Sequence, residues 1–194
     1  DPTYQESYNS SIVTVNPRPT EIAAPSVTAF ASTGSIKEPL TLQATLMDSL
    51  TPTKVKLDKQ SMTFSFNGGD KQAATNATGL AQTAPFDAPD HTGGYPFTVT
   101  FPAAAPFVGS SSNSVVQIIP RPTELITFPA SVFASGGLAA GEVFTASATL
   151  KDVRNGNSPV ANKTVTFDFS GVNKTAKTDS SGLATVTYDA PANA

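Results

Sequence analysis

The feature that most constrains this chain is an internal repeat with a period of about 103 residues. The heptapeptide NPRPTEI that begins at Asn16 returns as IPRPTEL from Ile119, an offset of 103 residues. The two copies keep the same order, with the spacing drifting by a single residue, in the pairs Phe30 and Phe133, Leu46 and Leu150, Phe64 and Phe167, Gly79 and Gly182, and Asp87 and Asp189. This order and register indicate that each period is a duplicated structural unit.

The length of the period predicts the type of domain. It is the size of one immunoglobulin-like β-sandwich and exceeds the roughly 20–50 residues of a solenoid repeat. We expect residues 17–119 to form a complete repeat, and residues 120–194 to form a second repeat that lacks its last strands. Residues 1–16 correspond to the final strand of a preceding repeat, because residues 13–15 lie 103 positions before residues 116–118.

Apolar and polar residues alternate between the turn signals with the period of two that half-buried strands require. The alternating segments are residues 40–46, 62–66 and 97–101 in the first repeat, and residues 144–150, 165–169 and 184–188 in the second. The 16 prolines and 13 glycines interrupt the chain, and no amphipathic helical pattern survives between them. The sequence therefore predicts an all-β fold made of tandem immunoglobulin-like β-sandwich domains.

The composition excludes several classes of function. A net charge of −3 with scattered basic residues gives no electrostatic footprint for nucleic acid, and no apolar run is long enough to span a membrane. The absence of cysteine excludes disulfides, thiolate zinc sites and cysteine nucleophiles. Only 14% of the residues are charged, and Ser and Thr are abundant. This mixture favours an extracellular protein of a bacterial cell surface.

Catalytic residues are not indicated. Hydrolysis needs a base that activates a nucleophile, and the single histidine, His91, lies in a turn-rich stretch near Asp87 and Asp90. The corresponding part of the second repeat has no histidine. We interpret His91 as a solvated loop residue and predict that the chain is not an enzyme.

No cofactor is predicted, and calcium is the one candidate metal. Oxygen ligands for calcium often rigidify junctions in surface rods. The acidic residues that recur beside the repeat junctions are Glu21, Asp48, Glu124 and Asp152. The chain contains no D-x-D-x-D-G loop, so these four residues are calcium candidates without a supporting motif.

The two Pro-Arg-Pro segments, residues 17–19 and 120–122, stand where one repeat passes to the next. Alternating prolines favour an extended backbone and remove hydrogen-bond donors. We expect short, stiff junctions that suit a rod of domains.

Residues 178–186, TDSSGLATV, resemble the T-D-x-x-G-x-A-x-V turn and strand of bacterial Ig-like repeats, as found in invasin- and intimin-type adhesins and related surface proteins. Residues 149–152 and 159–167 resemble the preceding T-L-x-D and P-V-x-x-x-x-V-T-F segments of that family. The first repeat departs from the pattern, with Asn76 where the family prefers Asp. The resemblance implies a surface stalk, an adhesin shaft or a cell-envelope component.

Three functions are consistent with these features. The first is a structural or adhesive repeat segment of a large surface protein, a stalk, filament or envelope component whose partners are neighbouring repeats. The second is an accessory, carbohydrate-binding module of a secreted enzyme, for which the aromatic candidates are Tyr4, Tyr8, Phe86 and Tyr95. The third is a surface domain of a phage or virion. An incomplete second sandwich leaves an open edge, so we also expect that copies can self-associate head to tail by strand addition.

Overall fold

The computed structural model describes residues 8–50, 52–128 and 143–189. Regular structure in these ranges consists of β-strands and one 3₁₀ turn at Val153–Asn155, so the predicted all-β fold is confirmed. The chain divides into two compact units, unit 1 (Asp1–Ile119) and unit 2 (Pro120–Ala194). The described part contains no helix that is long and apolar enough to cross a membrane.

The strands of unit 1 are short and follow one another closely along the chain. They are β1 (Thr20–Ala23), β2 (Val27–Phe30), β3 (Pro39–Leu40), β4 (Gln43–Asp48), β5 (Val55–Lys56), β6 (Ser61–Phe66), β7 (Gly69–Ala74), β8 (Leu80–Gln82), β9 (Phe86–Asp87), β10 (Gly93–Phe101) and β11 (Ser110–Ile119).

Two main sheets make up unit 1. In the first sheet, β4 is central and pairs with β1, β5 and β8. The second sheet has the order β2-β11-β10-β6-β7, and the short strands β3 and β9 pair with each other. Every pairing is antiparallel except that of β2 with β11, which is parallel.

The core of unit 1 comes from the alternating residues of these strands. Leu42, which directly precedes β4, and Leu46 of β4 belong to one buried cluster with Phe64, Phe97 and Val99 from the second sheet. Each of the five side chains is at most 1% exposed. Burial of one such side chain contributes about 1.5–3 kcal/mol, so the cluster stabilises a two-sheet sandwich without cysteines.

Unit 2 has fewer strands in the described residues. They are β12 (Thr123–Thr127), β13 (Val143–Asp152), β14 (Ser158–Pro159), β15 (Thr164–Phe169), β16 (Val172–Lys177) and β17 (Leu183–Asp189). In one sheet β13 pairs with β12, β14 and β17, and the hairpin of β15 and β16 forms the other sheet.

The repeat register aligns the strands of the two units. The strand β13 covers the positions of β3 and β4, the hairpin β15–β16 corresponds to β6–β7, and β17 covers the positions of β8 and β9. No described strand of unit 2 corresponds to β10 or β11. Among the described residues of unit 2, the buried cluster has Ala148, Val165 and Ala184 at its centre, and Phe167 and Ala176 pack against it.

Residues 8–17 form no strand, and the side chains of Ile12, Val13 and Val15 are largely exposed. Assignment of residues 1–16 to the last strand of a preceding repeat stays a prediction, because the sheet partners of that strand would belong to that repeat. The aromatic candidate Tyr4 and the repeated residue Phe133 lie outside the described residues.

Candidate functional site: the anchored repeat junctions

The Pro-Arg-Pro segment that precedes β1 is fixed to unit 1 through its backbone. The Arg18 N–H donates to the Pro106 carbonyl at 2.8 Å, and the Val108 N–H donates to the Arg18 carbonyl at 2.9 Å. The Ser49 N–H donates to the Pro19 carbonyl at 3.0 Å. The linker is therefore bonded to two different loops of the sandwich that it enters.

The side chain of Arg18 adds an ion pair to this attachment. Its Nε donates to Oδ2 of Asp48, and Oδ1 of Asp48 accepts a hydrogen bond from the Leu50 N–H at 2.9 Å. The Asp48 side chain is nearly buried, at 4% exposure. The Leu50 N–H lowers the pKa of Asp48 below its ordinary value; burial opposes this shift, and the Arg18 guanidinium lowers the pKa further.

Unit 2 repeats the same arrangement. Nε of Arg121 donates to Oδ2 of Asp152 at 2.7 Å, and Oδ1 of Asp152 accepts from the Arg154 N–H at 3.0 Å. The Val153 N–H donates to the Pro122 carbonyl at 3.1 Å. Both charged side chains are buried here, at 8% and 6% exposure, whereas that of Arg18 is 39% exposed.

Each ion pair joins a Pro-Arg-Pro segment to the end of a strand. Each aspartate ends a strand and pairs in the ladder with the first residue after its linker, as Thr20 with Asp48 and Thr123 with Asp152. A buried ion pair gives little net stability against its desolvation cost, but removal of one partner leaves a buried charge without compensation. The arginine therefore fixes the direction in which the chain enters each unit.

The stabilisation that Asp48 gives to unit 1 is expected to disappear in acid. Its folded pKa lies below the ordinary value of 3.8, so its contribution is complete above that value and is lost as the pH falls through the folded pKa. The unfolding midpoints of the parent chain and of Asp48→Asn should therefore differ near neutral pH, and the difference should shrink as the pH falls below 3.8. A difference that persists unchanged in acid would contradict the ion pair.

The four calcium candidates have other partners or lie apart. The side chains of Asp48 and Asp152 are bound by arginines. Oε2 of Glu21 lies 2.6 Å from Nζ of Lys54 in a half-exposed pair, and Glu124 is exposed on β12. In the described ranges no three His, Cys, Asp or Glu side chains are grouped so that they could hold a metal ion. Positively charged side chains thus bind three of the four candidates, Asp48, Asp152 and Glu21.

Removal of calcium is therefore expected to leave the chain unchanged. Because arginine already supplies the positive charge at both buried aspartates, we expect the melting temperature to shift by less than about 1 °C between excess EDTA and millimolar calcium. A stabilisation of several degrees by calcium, measured by calorimetry, would show a metal site that this arrangement does not contain.

His91 lies in an exposed loop. Its Nδ1 is 2.6 Å from Oδ1 of Asp90, with 84% of the histidine side chain and 64% of the aspartate side chain exposed. The contact with His91 lowers the pKa of Asp90. The hydroxyl of Tyr95 donates to the His91 carbonyl at 3.1 Å. This is the environment of the solvated loop histidine that the sequence predicted.

Two of the four aromatic candidates for sugar stacking, Phe86 and Tyr95, pack in the core of unit 1 or against it. Phe86 is 7% exposed and meets Phe66 edge to face, with the ring centroids 5.6 Å apart, while Nζ of Lys71 lies 4.9 Å from the centroid of the Phe86 ring. Tyr95 packs against the core as a half-buried side chain. Tyr8 is 90% exposed. Phe86 and Tyr95 therefore take part in the packing of unit 1.

The turn motif that resembles the bacterial repeats has a structural role. Oδ1 of Asp179 accepts hydrogen bonds from the Ser181 N–H, the Ser181 hydroxyl and the Leu183 N–H at 2.8, 2.7 and 3.0 Å. These bonds lower the pKa of Asp179, and the bond from the Ser181 hydroxyl has the largest effect. Asn76 makes the same three contacts in unit 1, with Thr78 and Leu80. Asn can therefore replace Asp here, because only the acceptor oxygen is used.

The sequence did not assign a role to the arginines of the two junctions. The available signal was the joint recurrence of Arg18 as Arg121 and of Asp48 as Asp152. A cation and an anion that recur together at the repeat spacing, in a chain with few charges, indicate an ion pair.

Comparison with known proteins gives limited similarity. No family model matches the chain, and no curated protein matches it. The structure of the adhesin InvE of Yersinia pseudotuberculosis matches with 18% identity and a TM-score of 0.37, over 86% of this chain and 50% of that one. A Ca²⁺-stabilized adhesin that helps an Antarctic bacterium reach out and bind ice matches with 16% identity and a TM-score of 0.30, over 88% of this chain and 40% of that one. The chain thus spans half or less of two bacterial adhesins to which it is distantly similar.

Proposed function

We propose that the chain is a structural and adhesive repeat segment of a large extracellular bacterial surface protein, in which successive sandwich domains add length to a stalk, filament or envelope component. The double occurrence of the junction anchor carries this proposal. Arg18 with Asp48 and Arg121 with Asp152 make the same contacts at the start of each unit. A contact that occurs once in each repeat is suited to joining successive repeats. The partners of each repeat are then the neighbouring repeats.

Stiff junctions between the repeats are part of this proposal. The prolines restrict the backbone on both sides of the arginine, and the buried Arg121–Asp152 pair holds the linker against the unit that follows. A surface stalk needs this property, because a flexible linker shortens the average reach of a chain. In this role the repeats act through their length and need neither a catalytic residue nor a cofactor.

Distance distributions between spin labels test the proposal. The chain contains no cysteine, so Gln82→Cys and Thr185→Cys place one label at equivalent exposed positions of each unit. We expect a narrow distribution for the parent chain, and a distribution about twofold wider for Arg121→Ala. Lys177→Ala, which removes a positive charge from an exposed strand of unit 2, serves as the control. A parent distribution already as wide as that of a flexible linker would contradict the stalk.

A further inference from the structure

The first and last segments of unit 1 lie side by side and run in the same direction. These are residues 18–31, the entry segment, and residues 106–119, the exit segment. Arg18 forms a parallel bridge with Phe107, and β2 pairs in parallel with the end of β11. In both contacts the partner lies equally far along the chain, so the two segments keep one register.

Hydrogen bonds join the two segments at the point where the chain enters unit 1. The Arg18 N–H donates to the Pro106 carbonyl, and the Val108 N–H donates to the Arg18 carbonyl. The Thr20 hydroxyl donates to the Val108 carbonyl at 2.7 Å and lies 2.8 Å from Oγ of Ser110. The entry segment is thus bonded to the start of β11 and to the loop before it.

A second group of bonds joins the segments where the chain leaves unit 1. The Ala31 N–H donates to the Ile119 carbonyl at 2.9 Å, which extends the parallel ladder of β2 and β11 by one bond. In β11, the side chains of Val116 and Ile118 lie in the core and are at most 1% exposed. Packing on the core therefore supports the ladder at this end.

Tension along the chain acts on these bonds in shear, that is, along the strands. Force enters unit 1 before Arg18 and leaves it after Ile119, so it pulls the two parallel segments in opposite directions along their common axis. The bonds of a parallel ladder are evenly spaced across the two strands, and in this direction they are loaded together. A force that separates the same segments at one end loads only the outermost bond at any moment.

We propose that the entry and exit segments form a mechanical clamp, which enables unit 1 to stay folded when the chain is under tension. Unfolding by force then requires the bonds at Arg18, at Thr20 and in the ladder of β2 to break in one step. Forced unfolding is governed by the unfolding rate and not by the equilibrium stability, so this step sets the resistance of unit 1.

This inference deepens the proposed stalk and rests on it for the source of the force. The spin-label distances test the stiffness of the junctions, whereas a pulling experiment tests the interior of unit 1. Each of the two proposals can therefore fail while the other stands.

Pulling the full chain in two directions tests the clamp. The chain contains no cysteine, so pairs of introduced thiols attach the handles of magnetic tweezers. Asn16→Cys with Pro120→Cys loads the clamp in shear. Gly34→Cys with Pro120→Cys separates the ends of β2 and β11 and opens their ladder from one end. Gly34 is exposed, and an added Cβ has no atom within 4 Å.

Both handle pairs leave unit 2 outside the loaded part of the chain. At equal constant force, we expect unit 1 to unfold at least about tenfold more slowly with the first pair, because its bonds must break together. Equal rates for the two pairs, or faster unfolding in shear, would overturn the proposal.

Thr20→Val tests the bonds of the entry segment. The substitution removes the hydroxyl that donates to the Val108 carbonyl and nearly keeps the size of the side chain. We expect unfolding in shear to become about fivefold faster, the effect of one lost hydrogen bond. We expect no change for the pair with Gly34→Cys, where the ladder of β2 opens first.

Thr98→Val is the matched control, because the Thr98 hydroxyl donates to Oδ1 of Asn113 at 2.8 Å, between β10 and β11 and outside the clamp. We expect this variant to keep the rate in shear within about twofold of the parent rate. Equal acceleration by the two valine substitutions would show that general stability sets the rate, and the clamp would then be wrong. If Thr20→Val does not fold, the two pulling directions of the parent chain decide alone.

Discussion

Replacement of Phe64 with alanine is expected to lower the free energy of unfolding of unit 1 by about 3–5 kcal/mol. The Phe64 side chain is fully buried, in a strand paired on both sides by β7 and β10. Its removal takes away apolar contacts and leaves a cavity that the two sheets can close only in part. Denaturant unfolding followed by circular dichroism measures the change.

The matched variant is Phe167→Ala in unit 2. Phe167 occupies the same position of the repeat but is only partly buried. Less area is removed from water in the folded state, so we expect a loss of less than about 2 kcal/mol. Amide exchange of β15 measures this value. Equal losses at Phe64 and Phe167 would contradict the difference in their burial.

Gly79→Ala is expected to destabilise unit 1 by roughly 2–4 kcal/mol, through backbone strain together with a steric clash. Gly79 has a φ of +73°, and an added Cβ would lie 2.7 Å from the Leu46 carbonyl oxygen and 3.1 Å from Cβ of Lys56. The turn has little freedom to move, because the Gly79 N–H donates to the Asn76 carbonyl at 2.7 Å and the Gly79 carbonyl accepts from the Leu46 N–H at 2.9 Å.

Gly68→Ala separates the clash from the strain. Gly68 has a similar φ of +79°, and an added Cβ would have no atom within 4 Å. We expect this variant to cost only about 1 kcal/mol, the usual penalty for a side chain in the left-handed region. Thermal unfolding of the two variants side by side gives the comparison. Similar midpoints would contradict the close packing of the Gly79 turn on β4.

Local patterns in the sequence predicted the buried faces of the strands and the turns. Alternation predicted that Met62, Phe64 and Phe66 share a buried face, and all three are at most 3% exposed. The turn chemistry around Gly79 and Gly182 is equally local, since a glycine at positive φ follows an Asn or Asp whose side chain caps the turn. Such features depend on neighbouring residues, so one sequence suffices to predict them.

Features that depend on distant residues were harder to predict. The Arg18–Asp48 pair joins residues 30 positions apart, and the parallel pairing of β2 with β11 joins the two ends of unit 1. Alternation gives the face of a strand but not its neighbours, so it indicated neither contact. For the same reason, alternation did not indicate the arginines that bind Asp48 and Asp152.

Residues 17–119 are expected to fold as a self-contained sandwich, and expression of these residues alone tests this expectation. Calorimetry should show one cooperative unfolding transition, with a midpoint within about 2 °C of that of unit 1 in the full chain. A broad, non-cooperative transition, or a midpoint lowered by about ten degrees or more, would show that residues 17–119 do not fold independently.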